Sequence, residues 1–389
     1  GYAFRKKAQK SWDIRKRIII FESMQRYFHE NRVLAFCFLC VALLMAFGAA
    51  RQSGLLQSAE SKKKEFRSMI SSLKKKDPSG LIPISVFRGL YGRIGPKIMA
   101  SVLNENKFCH SDAHNLGRVI YERVQDLAAS TVICKTSCTD GCIHGVLMGM
   151  FESERGSPVA QNGVHDVSVG RVSSALEEKI GRMCEKSEIT RYTGIANCYH
   201  AMGHALTSLS GYDIPDALAL CDVFKGYGLG ATYYCATGVY MERDLVFGKN
   251  DIKKSDQGIF PCDTGGYPVA CYRYKVRRLF SLPKEYQKAQ DLCLSLAGAQ
   301  KRGCFHGLGF GGYAMVYQHP ADLNLLCGKG DAEDKRICIE GALGYMNLFD
   351  KIRSANACSL YVAGSKELCL AARRLSNFDM GRDFSRYAP

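Results

Sequence analysis

The chain has 389 residues, of which 47% are hydrophobic and 23% are charged. These fractions are typical of a globular protein and exclude a largely disordered one. The length allows one large domain or two ordinary ones.

The net charge of +16 is concentrated near the N-terminus. Residues 1–32 hold nine Lys/Arg against three Asp/Glu, and residues 51–77 hold eight against three. Basic residues that flank an apolar segment in this way are typical of membrane proteins. The rest of the chain is only weakly basic, and we therefore expect no nucleic-acid partner.

Between the two basic segments lies VLAFCFLCVALLMAFGAA, residues 33–50, which contains no charged residue. As a helix this segment is about 27 Å long, enough to cross a hydrocarbon core. We predict a transmembrane signal anchor, preceded by a basic cytoplasmic arm (residues 1–32) and followed by a basic stalk (residues 51–83). A cleavable signal peptide is the alternative, because Gly48 and Ala50 are small residues at plausible cleavage positions.

The cysteines predict the orientation of the chain in the membrane. Sixteen of the eighteen cysteines follow residue 50, an even number that favours disulfides and an oxidising compartment. We therefore predict a single-pass membrane protein with its N-terminus in the cytoplasm. Its C-terminal domain is then exoplasmic: periplasmic, lumenal or extracellular.

Six of these cysteines recur at intervals of 37, 36, 33, 34 and 31 residues: Cys198, Cys235, Cys271, Cys304, Cys338 and Cys369. Fixed periods of this size indicate repeated supersecondary units. Each of the six has an upstream companion, which predicts these disulfides: Cys184–Cys198, Cys221–Cys235, Cys262–Cys271, Cys293–Cys304, Cys327–Cys338 and Cys358–Cys369. Four more, Cys109, Cys134, Cys138 and Cys142, allow three pairings, and the sequence does not choose among them.

The segments around each cysteine pair predict a helical hairpin. An amphipathic segment such as DALALCDVFKGYG leads to a break, and a nearly all-apolar segment such as GATYYCATGVYM follows. For residues 84–380 we predict an all-α, cysteine-rich domain of α/α helical-hairpin repeats. The repeats form a solenoid or a closed toroid, preceded by the one transmembrane helix.

The period near 36, the two helices and the single bridge per unit resemble the disulfide-bridged Sel1-like helical repeats of secreted proteins. This resemblance implies the hairpin architecture alone, and we infer no function from it. The chain is more loosely similar to α/α-toroid enzymes of the lanthionine-cyclase type, whose zinc site uses cysteine and a Cys-His-Gly stretch. Here the order is Cys-x-His-Gly, at residues 142–145 and 304–307.

Six of the nine histidines lie in or beside the repeated cysteine stretches: His110, His114, His144, His200, His204 and His306. Two pairs are spaced i and i+4, which places both rings on one helical face and suits a divalent metal such as zinc, iron or copper. Catalysis at such a site would need a glutamate from elsewhere, such as Glu152, Glu242 or Glu340. Two alternatives stay open: buried hydrogen-bonding histidines at a recurrent helix contact, and acid/base chemistry without metal.

The glycines of GLGFGG, residues 307–312, have two possible roles. Each glycine in a helix costs about 1 kcal/mol relative to alanine, so either close helix packing or the approach of a ligand must offset that cost. A dinucleotide site is excluded, because no strand precedes the motif and no acidic residue follows at the required distance. We favour close packing.

The sequence contains no assembled catalytic motif, and we therefore expect a binding protein rather than an enzyme. Our leading hypothesis is a membrane-anchored exoplasmic binding or scaffold protein, with a protein or peptide partner in the groove of the repeats. The alternative is a metal-dependent enzyme or a metal carrier whose ligands are the six histidines.

Overall fold

A computed structural model describes residues 36–37, 40–43, 45, 58–77, 81–105, 109–135, 138, 140–154, 178, 180–185, 194–251, 260–262, 266–280 and 284–374. Contacts between Cα atoms divide the chain into two units, Gly1–Glu65 and Phe66–Pro389. The described residues form helices and turns, and none of them lies in a strand. The all-α prediction is therefore confirmed.

The predicted arm, residues 1–32, lies outside the described residues, as does most of the predicted span 33–50. Residues 36–37, 40–43 and 45 of that span are helical. Within the described ranges, no helix combines the length and the apolarity that crossing a membrane requires.

The helices are numbered here in chain order. Those up to residue 251 are α1 Ala59–Lys76, α2 Ile84–Ile94, α3 Pro96–Leu103, α4 His110–Val124, α5 Leu127–Cys134, α6 Gly141–Glu154, α7 Ile195–Leu209, α8 Ile214–Cys221 and α9 Leu229–Asp251. Those after it are α10 Pro268–Leu279, α11 Tyr286–Ser295, α12 Gly298–Gln318, α13 Leu323–Leu326, α14 Ala332–Ile339, α15 Tyr345–Phe349, α16 Lys351–Ser359 and α17 Lys366–Ala372. A π-helical turn, Glu340–Gly344, joins α14 to α15.

Several short helices begin at side-chain caps. Asp126 accepts a hydrogen bond from the backbone N–H of Ala129 at 2.6 Å, ahead of α5. Asp213 accepts one from the backbone N–H of Asp216 at 2.9 Å, ahead of α8. These carboxylates satisfy N–H groups that the first helical turn leaves unpaired, so the start of each short helix is encoded locally.

Disulfides such as Cys134–Cys142, Cys221–Cys235 and Cys293–Cys304 connect the end of a short helix to the next long helix. All six pairs expected from the cysteine spacing are bonded in the structure. The four cysteines whose pairing the sequence left open form Cys109–Cys138 and Cys134–Cys142. Each bond closes a loop of 8 to 29 residues, a size for which the chain-entropy model gives about 3 kcal/mol.

The long helices pack in chain order. Helix α4 packs on α6, α6 on α7, α7 on α9, α9 on α10, α10 on α12, and α12 on α14 and the π-helical turn. Every residue of α7 except Ile195 is buried. This arrangement brings the polar side chains of α7 into the centre of the core.

Glycines allow these helices to approach each other backbone to backbone. A Cβ atom at Gly145 would collide with the carbonyl oxygen of His114, and one at Gly238 with that of His200. Gly309 lies in the same way against the carbonyl oxygen of Cys338. The close-packing interpretation of the GLGFGG glycines therefore agrees with the structure.

Candidate metal centre

Five of the six candidate histidines meet in the core. His110 and His114 come from α4, His144 from α6, and His200 and His204 from α7; we call these five residues the histidine cluster. The ring of His144 lies in its middle, with centroid distances of 4.9, 5.1 and 5.3 Å to the rings of His110, His204 and His200. His110 is half-buried and the other four are buried.

The spacing of the histidines in the sequence explains why their rings converge. His110/His114 and His200/His204 each sit one turn apart on a helix, so both rings of a pair share a face. The glycine contacts of α6 with α4, and of α9 with α7, draw these faces together. The rings can therefore meet without long side chains.

The potential ligand atoms form two groups that share one residue. One group comprises His110, His144, His200 and His204, and the other comprises His114, His204 and Glu242. Within each group, one nitrogen or oxygen atom per residue lies within 4.8 Å of all the others. Glu242 comes from α9 and is buried.

Neighbouring acceptors set the tautomers of three rings. His110 Nδ1 lies 3.2 Å from the carbonyl oxygen of Cys138, which can only accept, so Nδ1 carries the proton. His200 Nδ1 lies 2.7 Å from Thr237 Oγ1, whose own proton is donated to the carbonyl oxygen of Tyr234. The threonine oxygen therefore accepts from His200.

The third ring, His204, donates its Nδ1–H to Glu242 Oε2 at 2.9 Å. With a proton on Nδ1, each of the three rings presents a lone pair at Nε2. Outer acceptors that fix the ring tautomer in this way are characteristic of metal-ligating histidines.

The Nε2 atoms of His200 and His204 lie only 3.1 Å apart. With both Nδ1 atoms carrying the proton, two lone pairs face each other across this distance, a repulsion that either a shared proton or a metal ion between them would relieve. Both ring nitrogens of His144, and Nε2 of His114, are buried without a hydrogen-bond partner. Buried polar atoms without partners are costly, and a metal ion would satisfy them.

Burial favours the neutral form of three rings of the cluster, those of His144, His200 and His204. It lowers the pKa of His144 and of His200 well below the ordinary value, and the neighbouring histidines lower both further. Burial also lowers the pKa of His204 to about 4, although the hydrogen bond to Glu242 opposes the shift. Neutral imidazole is the form that binds metal.

Burial acts to raise the pKa of Glu242, but hydrogen bonds from His114 and His204 outweigh it and lower the pKa. The carboxylate is therefore ionised at neutral pH. The centre thus offers neutral imidazoles together with one negative charge.

The other two candidate glutamates are committed elsewhere. Glu152 forms a salt bridge with Arg118 at 2.6 Å and accepts a hydrogen bond from Ser208 at 2.9 Å. Glu340 lies 3.1 Å from Arg336. Of the three glutamates that the sequence suggested, only Glu242 joins the histidines.

His306 is not a member of either ligand group among the described residues. The sequence grouped it with His144 and His200 because all three lie in the repeated cysteine stretches. Helix α12, which carries His306, packs on α10 and α14 rather than on α4, α6 or α7. Equivalent positions in successive units therefore do not all meet at one point.

Sulfur is not available to this centre. Cys142 and Cys304, which open the two Cys-x-His-Gly stretches, are both in disulfides. The zinc ligation implied by the similarity to toroid enzymes therefore does not carry over. Sequence reasoning also missed Thr237, although it stands at the same position after a cysteine as His200.

No protein-family model matches the chain, and comparisons with curated proteins and with solved structures give no significant match.

Proposed function

We propose that the histidine cluster is a transition-metal centre and that the protein is a metalloprotein. The observation that carries this proposal is the pair of Nε2 atoms of His200 and His204, 3.1 Å apart with both Nδ1 protons engaged elsewhere. A bound cation turns this repulsion into ligation. The scaffold hypothesis offers no comparable reason for burying five imidazoles together.

The donor set selects the class of metal. Imidazole nitrogens suit zinc, copper, iron and nickel, whereas magnesium and calcium prefer oxygen ligands. The four histidines of the first ligand group provide the number of protein ligands that a closed tetrahedral site needs.

The burial of the cluster favours an ion that stays bound over an ion that the protein carries and releases. Relative exposure is 4% for His114, 2% for His200, and 0% for His144 and His204. Only His110 is partly exposed, and it marks the side from which an ion or a small molecule would enter. Release of an ion requires His110 to move or the helices to separate, which suits a resident centre.

We also retain the proposed location and architecture. Eight disulfides support an oxidising, exoplasmic compartment. The apolar segment 33–50 supports a membrane anchor, and its residues Phe36, Val41, Leu43 and Met45 are exposed. The succession of packed helices supports a repeat solenoid.

The test is the metal content of the full-length chain, produced in an oxidising compartment, purified in detergent and measured by inductively coupled plasma mass spectrometry. We expect at least one transition-metal ion per chain, and we expect the double variant His200→Ala/His204→Ala to lose it. His306→Ala is the matched control, because His306 is equally buried but lies outside both ligand groups.

Circular dichroism should show helical content in all three proteins. Wild-type protein without stoichiometric metal, even after incubation with zinc, copper, iron and nickel, would contradict the proposal. Retention of metal by a folded double variant would contradict it equally.

A further inference from the structure

His204 belongs to both ligand groups through different atoms. Its Nε2 lies 3.1 Å from His200 Nε2 in the first group, and its Nδ1 lies 2.9 Å from Glu242 Oε2 in the second. The two nitrogens of an imidazole point to opposite sides of the ring. The two groups therefore lie on either side of the His204 ring.

The second group has the character of a ligand site in its own right. The ring centroids of His114 and His204 are 4.6 Å apart, and His114 Nδ1 lies 3.5 Å from Glu242 Oε2. His114 Nε2 is buried without a hydrogen-bond partner. The ion-pair contacts of the buried carboxylate are with these two imidazoles, and no lysine or arginine among the described residues forms a salt bridge with it.

A single ion does not account for both groups. His204 is their only common member, and no group in the described part of the chain contains all six side chains. An ion bound by His110, His144, His200 and His204 leaves His114 and Glu242 without metal.

We propose that the centre is binuclear, with His204 as a bridging ligand; this inference rests on the proposed metal-binding function. The first ion is bound by His110, His144, His200 and the Nε2 atom of His204. The second is bound by His114, Glu242 and the Nδ1 atom of His204, with water completing its coordination.

Binding of the second ion changes the protonation of His204. The Nδ1–H that is donated to Glu242 leaves as a proton to solvent, and the nitrogen lone pair binds the ion. His204 becomes an imidazolate with one negative charge, and Glu242 Oε2 exchanges the hydrogen bond from His204 for a bond to the metal. His114 stays neutral and binds through the nitrogen that does not carry its proton. The second ion thus gains two negative ligands, which offset its charge in a buried site.

The competing arrangement has one ion, with Glu242 acting only as the acceptor that orients His204. Glu242→Gln separates the two, because the amide oxygen still accepts the Nδ1–H but the side chain no longer supplies a negative ligand.

The test uses the full-length chain, first stripped of metal by a chelator and then titrated with Cu²⁺, with bound copper counted per chain. We expect two ions in the wild type and one in Glu242→Gln. Two Cu²⁺ ions bridged by imidazolate couple magnetically, so the electron paramagnetic resonance signal of the fully loaded wild type should account for well under half of its copper. The signal of the variant should account for nearly all of it.

The outcomes separate this inference from the function on which it rests. One ion in the wild type, or two ions with a full uncoupled signal, overturns the bridge and leaves the metal centre standing. No bound ion overturns both. The wild-type count and signal decide the question even where the variant fails to fold.

Discussion

Residues 110–251 and residues 268–372, here called the first and second halves, pack their helices alike but carry different side chains at the contacts. In the first half Gly238 lies against the carbonyl oxygen of His200, and in the second half Gly341 lies against that of His306. Each of these histidines stands two residues after a disulfide-bonded cysteine. The backbone arrangement is shared, so the difference lies in the chemistry of the side chains.

In the second half the buried space is filled by a cation and aromatic rings. The guanidinium of Arg273 lies 4.9 Å from the centroid of Phe310 and 5.3 Å from that of Tyr274. Phe310 in turn packs against Tyr345 at 5.6 Å. Close glycine packing is thus common to both halves, but among the described residues only the first half also brings histidines of adjacent helices together.

Reduction of the disulfides should produce the largest effect, and in both halves. Eight bonds at about 3 kcal/mol each exceed the 5–15 kcal/mol by which a typical domain is stable. We expect the metal-free protein to lose its cooperative thermal transition, followed by far-ultraviolet circular dichroism, after treatment with dithiothreitol. A helical protein with an unchanged transition after complete reduction would show that packing alone maintains the fold.

Acid should destabilise the metal-free first half before the second. The histidines that burial keeps neutral have folded pKa values below the ordinary 6.5, His204 at about 4. Below pH 6.5 the unfolded chain binds protons that the folded chain does not, so the free energy of unfolding decreases as the pH is lowered. For His204 alone the loss is about 3 kcal/mol by pH 4, and His144 and His200 add to it.

One nearby group opposes this trend. Burial raises the pKa of Asp140 to about 6, so its folded form takes up a proton more readily than its unfolded form and gains stability as the pH falls. The stability lost through His144, His200 and His204 as the pH falls exceeds the stability gained through Asp140. Hydrogen exchange should show peptides from 110–251 losing protection below pH 6 while those from 268–372 stay protected, and simultaneous loss in both halves would contradict the prediction.

A matched pair of glycine variants should separate packing from ligation. In Gly238→Ala and Gly341→Ala, the added methyl group collides with the carbonyl oxygen of His200 or of His306. We expect each variant to lose about 1–3 kcal/mol of unfolding free energy, measured in guanidinium chloride. Only Gly238→Ala should also lose metal, because it displaces a ligand, and equal metal loss in both variants would refute this distinction.

Removing a hydrogen bond behind one ligand should have the smallest effect. Thr237→Val deletes the acceptor that fixes the tautomer of His200, and loss of such a partner lowers metal affinity about 10–100-fold. Thr207→Val is the control, because Thr207 is also buried but donates to the carbonyl oxygen of Gly203. Isothermal titration with zinc should show weaker binding only in Thr237→Val.

The sequence predicted the covalent framework better than the site. Cysteine spacing alone identified pairs such as Cys221–Cys235, because one cysteine recurs at a regular interval and its partner lies 9 to 14 residues upstream in each unit. It could not place Cys138, whose backbone has a positive φ of 55° and whose loop follows no period. For the site, the i, i+4 spacing of the histidine pairs correctly predicted that both rings of a pair share one helical face.

The position of each histidine in the array could not be predicted. His306 has the same local surroundings in the sequence as His144, a Cys-x-His-Gly stretch, and only the order in which the helices pack separates them. Glu242 lies 38 residues after His204 and on a separate helix, α9. Contacts between distant parts of the chain leave no trace in a local motif.

The carbonyl group that orients His110 belongs to Cys138, and the bond between Cys138 and Cys109 fixes its place. Under the proposed metal-binding function, oxidation would precede loading of the ion, because a reduced chain lacks the bond that holds the acceptor of His110 in place. Under the proposed exoplasmic location, the ion would then bind only after the chain has reached the oxidising compartment.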